Sequence, residues 1–225
     1  MRNDFYDYDM LPASVSKGTP EEVSGIKVSF HPFYACDKET MRKMSREEAA
    51  VYRDELRKKG RYYDADKVVD IYSGGLFCES HLSNFCKTDF LFEDINIRSM
   101  EGFLQSLKTS DQEEQIHICS LAGKEAKKAG LAVAGFDGKH LYWQGETIDR
   151  FSEQCGSRWT EQPAVHVLVR RAYHARFEQD NLFRKALMEA KNKQLLHTIG
   201  NNDPKVTILT VDEFIGFLQE LQAKL

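Results

Sequence analysis

The stretch from Arg98 to Lys108 sets a carboxylate, an amide and an ammonium in one row. At helical spacing Met100, Phe103, Leu104 and Leu107 form an apolar stripe facing a core. Glu101, Gln105 and Lys108 repeat that spacing on the neighbouring stripe. The bland alternative for this second row is a solvated helix face. A carboxylate this close in sequence to Met100 and Phe103 is nevertheless expected to be partly desolvated, which raises its pKa toward the range useful for acid and base chemistry.

Other polar groups sit where they could aim at a ligand. Ser83 and Asn84 lie between the apolar Leu82 and Phe85, after the Gly-rich turn at Ser73, Gly74 and Gly75. They make either an ordinary turn or a set of hydroxyl, amide and backbone N–H groups aimed outward. Arg176 falls on the apolar stripe of its own helix, so it either snorkels at the stripe's edge or meets an anion in a cleft. Trp159 is either core or a flat face for a base or ribose. From His197 to Asp203 polar residues gather after Leu195 and Leu196, as a strand-end loop with a capping Asp would.

The elements that must position these groups read as follows. Residues 1–25 show no periodicity and are expected to be a flexible or surface-wrapping arm. Ile26, Val28 and Phe30 alternate as a strand, and Ser45 with Glu48 forms a capping box opening a helix that closes at Gly60. Residues 26–69 are thus an ordered extension of a strand plus a helix. Val68 to Tyr72 reads as a strand, and Phe90 to Phe92 with Ile95 to Ile97 as a hairpin. Ser110 with Glu113 and Thr210 with Glu213 are two more capping boxes, and Gly130 is expected to end a Lys-rich helix begun near Gly123. Val165, Leu168, Val169, Ala172 and Arg176 share one helical face between Gln162 and Phe177, and Asp180 starts a helix reaching about Ala190. The expected fold is α+β, a mainly helical single domain over residues 70–225 with a few short strands.

Composition narrows the classes. Lys plus Arg number 31 against 35 Asp plus Glu, a net charge of −4, which argues against gripping long nucleic acid through its phosphates. The five cysteines include no C-x-x-C pair, and no His, Cys and carboxylate cluster has ligand spacing, so neither a disulfide framework, a metal nor a cofactor is expected. No run approaches the ~20 apolar residues of a membrane helix and the start is not a signal peptide, so a cytoplasmic location is expected, without membrane partners.

In order, Tyr72-Ser73-Gly74, Leu82-Ser83-Asn84-Phe85, Ser99-x-Glu101 with Phe103, Gln105 and Lys108, then Trp159, Ala175-Arg176-Phe177-x-Gln179 and Leu187 resemble the NADAR superfamily and its YbiA-like members. The resemblance runs from about Ile71 to the C-terminus. It implies a YbiA-like fold and hydrolysis of the N-glycosidic bond between a ribose phosphate, or ADP-ribose, and a base or amine. The substrates it implies are ADP-ribosylated guanine, free or carried on DNA or RNA, and ribosylaminopyrimidine phosphates of riboflavin synthesis. Glu101 matches the acidic residue of the family's S-x-E helix, Lys108 its basic residue and Trp159 its aromatic one. Asn84 matches the loop asparagine, and Arg176 stands where many members have Lys. Asp203 is the counterpart of a terminal acid, although the family's Trp-Gly ending is missing here.

On this reading Glu101 is the carboxylate at the sugar's C1, with Asp203 second. Lys108 is a phosphate or leaving-group contact, or an amine nucleophile. Arg176 holds phosphate, Trp159 stacks and Asn84 orients the ribose, while Ser73, Gly74, Phe85, Gln105 and His197 complete the substrate contacts. The rival readings are a non-catalytic module binding ADP-ribose or NAD-derived ligands, and a scaffold using its N-terminal extension as an interaction arm.

Overall fold

The computed structural model describes residues 15–17, 28–30, 43–45, 47, 48, 51, 61–64, 67–151 and 164–225. Trp159, the expected N-terminus of the helix after Gln162, and the C-terminal part of the helix opened by Ser45 lie outside them.

The chain divides into two units. The first comprises residues 1–70 and 192–199. In it β1 (Val15–Lys17) and β2 (Val28–Phe30) flank β3 (Arg61–Asp64), both antiparallel to it. Val15–Lys17 falls in the stretch expected to be a flexible arm. Ser45 and Glu48 make the expected capping box, with the Ser45 N–H donating to Glu48 at 2.8 Å and the Glu48 N–H to the Ser45 hydroxyl at 3.2 Å. The buried β4 (Val68–Asp70) ends in a fully buried carboxylate, Asp70, which accepts the N–H and hydroxyl of Thr198.

The second unit comprises residues 71–191 and 200–225. The Ser73-Gly74-Gly75 turn leads directly into α1 (Phe77–Leu82), a short helix that the sequence analysis did not anticipate. The expected hairpin forms between β5 (Phe90–Phe92) and β6 (Ile95–Ile97), with Phe90 opposite Ile97 and Phe92 opposite Ile95. Glu93 and Asp94 take positive φ, 48° and 65°, as a two-residue hairpin turn requires. Next comes α2 (Met100–Ser106), whose N-cap Ser99 accepts the Gly102 N–H at 2.9 Å and donates to the Leu121 carbonyl at 3.1 Å. Met100, Phe103, Leu104 and Leu107 are all buried, as their stripe predicts.

In α3 (Gln112–Cys119) the N-cap is Asp111, not Ser110: its carboxylate accepts the N–H groups of Glu113 and Glu114. Packed beside α2 are α3 and α4 (Gly123–Ala132). Gly130 does not end α4, which runs on to Ala132. A second hairpin, β7 (His140–Trp143) and β8 (Glu146–Asp149), was also not anticipated. Its Trp143 stacks on Phe92 and meets Phe103 edge-on, with ring centroids 5.7 Å and 5.1 Å apart.

The long α5 (Ala164–Gln179) buries Val165, Leu168, Val169, Ala172 and Arg176, the face expected from spacing. Asp180 caps α6 (Asn181–Glu189) through the N–H groups of Leu182 and Phe183. The chain then returns to the first unit as β9 (Gln194–Leu196), parallel to β4 with Val69 opposite Leu195. It ends in α7 (Val211–Gln222), opened by the expected capping box of Thr210 and Glu213. The architecture is α+β, mainly helical with short strands.

Candidate functional site

Glu101, Gln105 and Lys108 occupy α2 and the turn that follows it, and the row is not a solvated face. Glu101 is 6% exposed and Gln105 4%. Gln105 Nε2 donates to Glu101 Oε1 at 2.9 Å. Onto the same oxygen α4 brings Lys127, with Nζ 3.5 Å away. No described residue reaches Glu101 Oε2 with a hydrogen bond, so one oxygen is clamped and the other is uncommitted within the described protein.

Burial raises the Glu101 pKa above the ordinary carboxylate value, against the opposing pull of Lys127, Gln105 and Lys108. The Lys108 amine moves the opposite way. Burial lowers its pKa first and the Lys127 charge second, while Glu101 resists. Lys108 Nζ donates to the Gly130 carbonyl at 3.2 Å and lies 5.3 Å from the centre of the Phe136 ring.

Two glycines set these approaches. A Cβ on Gly102 would fall 2.7 Å from the Leu121 carbonyl, so the glycine lets α2 lie tight on the end of α3. A Cβ on Gly130 would fall 2.1 Å from Gln105 Oε1, so this glycine makes room for the amide that holds Glu101. Gln105 Oε1 is buried, and none of the described residues donates a hydrogen bond to it.

The loop after α1 closes on the same place. The Asn84 carbonyl accepts the Glu101 N–H at 2.8 Å, satisfying one of the donors a helix start leaves unpaired. Asn84 Oδ1 accepts the hydroxyl of the fully buried Tyr173 at 2.5 Å. Burial pushes the Tyr173 pKa up, so this hydroxyl stays a donor. Phe85 lies against Gly123 at the start of α4.

Arg176 is completely buried rather than snorkelling. It donates to the His81 carbonyl at 2.7 Å and to Asp180 at 3.4 Å, and stacks 4.1 Å from the centre of the Phe183 ring. Asp180 in turn accepts the Thr88 hydroxyl at 2.7 Å. The guanidinium therefore fastens both ends of the loop that carries Asn84 and Phe85.

The remaining expected residues are placed as follows. Ser73 and Gly74 are exposed in the turn before α1, and His197 is half-buried after β9, in the first unit. Asp203 is exposed, and its carboxylate accepts the Lys205 N–H at 2.9 Å within its own turn. The sequence reading did not single out Lys127 or Tyr173. The run Lys124-Glu-Ala-Lys127-Lys128 signals only an exposed basic helix, and nothing in it announces that Lys127 meets Glu101.

An open groove of about 460 Å³ lies elsewhere, between the β5 hairpin and α5, lined in part by Arg170, Arg171 and His174. Its arginines are committed to Glu220 and Glu93. Among the described residues no group of His, Cys, Asp and Glu could hold a metal ion, and no helix is long and apolar enough to cross a membrane.

Residues 76–223 match the family described as Bacteriophage protein GP30.3. A protein of Enterobacteria phage T4, described as an uncharacterized 17.1 kDa protein in the Gp30-rIII intergenic region, is 36% identical over 146 residues, 64% of this chain and 90% of that one. The NMR structure of the E. coli protein YbiA aligns at TM-score 0.46 and 17% identity, covering 71% of this chain and 84% of that one.

Proposed function

We propose that this chain, which belongs to the bacteriophage protein GP30.3 family, a family of NADAR type, is an N-glycosidase that cleaves the bond between a ribose phosphate or ADP-ribose and a base or amine. Membership of that family is consistent with an enzyme. The observation that carries the reading is Glu101: a buried carboxylate with one oxygen held by Gln105 and Lys127 and the other uncommitted. A fold has no need of such a group, because a buried charge lacking a full set of partners costs stability.

The chemistry follows from that state. As the C1–N bond breaks, positive charge develops at C1 and negative charge on the departing nitrogen. Ionised Glu101 faces the first with Oε2 and takes a proton from the attacking water. The water oxygen bonds C1, the C1–N electron pair leaves with nitrogen, and the proton passes to it. Lys108, poised toward its neutral form, either contacts the leaving group or attacks C1 of an opened sugar as an amine. Asn84 is held by Tyr173 and the Glu101 backbone, in a place suited to orienting a ribose. Arg176 contributes by fixing the Asn84 loop, and Lys127 is the exposed cation beside Glu101 suited to a phosphate.

Product analysis tests the reading. Incubation with an ADP-ribosylated guanine oligonucleotide, and separately with a ribosylaminopyrimidine phosphate, is expected to release base or amine from at least one, with loss of turnover in Glu101→Gln. Tight calorimetric binding of ADP-ribose without release of product from either would replace the enzyme with a binding module. Borohydride added during turnover decides the role of Lys108. A sugar adduct mapped to that residue makes it the nucleophile, and normal turnover by Lys108→Arg makes it a contact.

A further inference from the structure

We propose that Lys127 is the positioning residue of this site, holding the Glu101 carboxylate from the same helix whose Gly130 carbonyl anchors Lys108; the inference rests on the glycosidase reading for its purpose but not for its test. The geometry is specific. Lys127 comes from α4 while the other two come from α2 and its turn, and its Nζ lies 3.5 Å from the oxygen that Gln105 also holds. Lys108, from the far end of the row, bonds the Gly130 carbonyl, one turn further along the helix that carries Lys127. One lysine therefore lies against the buried carboxylate, and the other is anchored to the same helix.

The charged and titratable groups around Glu101 are Lys108 on the α2 side, Lys127 on α4 and the Tyr173 hydroxyl on α5. Lys127 acts in opposite senses on its two neighbours. It favours the ionised form of Glu101, offsetting part of the burial that raises that pKa. It disfavours the ammonium form of Lys108, adding to the burial that lowers that one. One half-exposed cation thus moves both groups toward the working pair, a carboxylate beside a neutral amine. Neither Lys108 nor Gln105 could do this alone, because Lys108 cannot repel itself and Gln105 carries no charge.

The test reads Lys108 directly in the intact folded chain, without substrate. The rate of amine acetylation at Lys108 is followed against pH by peptide mass spectrometry, with the exposed Lys128 as internal reference. Lys127→Met is expected to move the Lys108 midpoint up by about one pH unit, cutting its labelling at pH 7.5 several-fold relative to Lys128. Lys127→Arg, which keeps the charge, is expected to leave the midpoint in place. Glu101→Gln is expected to move it down, because the carboxylate that favours the ammonium is gone. If a turnover substrate is found, the acid limb of the rate profile, which both deprotonations control, should move to higher pH in Lys127→Met and return in Lys127→Arg. An unmoved Lys108 midpoint in Lys127→Met, with the protein folded by circular dichroism, overturns the role of Lys127 whatever the activity. Absence of turnover with the midpoint shifted as expected leaves the role standing and overturns the glycosidase reading.

Discussion

Glu213, at the third position of α7, is surrounded by donors. Arg150 Nη2 reaches both of its oxygens at 2.8 Å, the Thr210 N–H and hydroxyl reach Oε2 at 2.7 and 2.9 Å, and His166 Nε2 lies against Oε1. Burial alone would raise its pKa, but His166, the Thr210 N–H and Arg150 outweigh burial and bring it down to about 2. Glu101 is withdrawn further from water, its side chain 8% exposed against 16%, and receives one amide N–H and one lysine at 3.5 Å. There burial wins and the pKa rises. The first carboxylate ties α7 to the β8 end and to α5. The second leaves its charge unfinished, which is the state a reacting centre uses and a structural joint does not.

The largest effects are expected from neutralising each acid in turn. Glu101→Gln keeps the shape and loses the charge, so turnover is expected to fall by about 10²–10⁴-fold, while the melting temperature above neutral pH stays the same or rises. The sign follows from the raised pKa: the stability this group contributes is present below the ordinary carboxylate pKa and lost as pH rises through the elevated one. A variant with near-normal rate would remove Glu101 from the mechanism.

Glu213→Gln is expected to do the reverse. The pKa is depressed from 4.5 to about 2, so this carboxylate contributes stability at neutral pH that is lost as pH falls through that window. The gap is worth roughly 2–3 kcal/mol after allowance for partial exposure, or roughly 4–12 °C in the midpoint for a chain of this size. Thermal melts at pH 7 should show that drop, shrinking toward pH 2, with turnover per folded molecule little changed. A catalytic loss without a stability loss would merge the two acids into one class.

Gly130→Ala probes the hold on Glu101 without touching it. The new methyl would need space now filled by Gln105 Oε1, 2.1 Å from its carbon, so the amide must leave Glu101 or α4 must retreat from α2. Turnover is expected to fall about tenfold through looser positioning. The Glu101 pKa should rise further, because an amide donor that favours the ionised form is lost. Carboxyl ¹³C resonances of labelled glutamate would follow that titration directly.

How far these contrasts could be seen in the chain itself depends on the range of the interaction. The apolar stripe of α2, the hairpin at Glu93-Asp94 and the Thr210 capping box are short-range patterns, and all three appear where expected. The position of Arg176 on an apolar stripe announced that its burial would be unusual. What it meets there, Asp180 and the His81 carbonyl, could not be read from spacing. Lys127 was invisible for the same reason, since its partner lies on another helix. Gly130 was mistaken for a helix end because a glycine that terminates a helix and one that admits a neighbour's side chain look alike in one sequence. The α1 helix was missed because its six residues span fewer than two turns, too few for an apolar stripe to repeat. In the second hairpin the sequence signal is the glycine of the two-residue Gln144-Gly145 turn, both of whose residues take positive φ in the structure.

The smallest expected effect concerns Asp203, the acid placed second to Glu101 on sequence grounds. The two carboxylates differ in every respect that matters for chemistry. Asp203 is exposed, and its oxygen accepts the Lys205 N–H two residues on, while its own N–H donates to Asn201 Oδ1 at 2.7 Å. An asparagine can accept the same bond with the same reach, so Asp203→Asn preserves the turn. Its turnover is expected to stay within about threefold of the parent, because an exposed carboxylate in high dielectric stabilises a developing charge only weakly. Asp203→Ala removes the acceptor and should cost about 1 kcal/mol of stability, again with little loss of rate. Turnover assays on both variants at one pH, beside Glu101→Gln, rank the acids directly. A loss in Asp203→Asn comparable to that in Glu101→Gln would show that the ligand draws Asp203 into the site, making the reaction one of two carboxylates; equal activity in both Asp203 variants leaves Glu101 as the acid on which the chemistry turns.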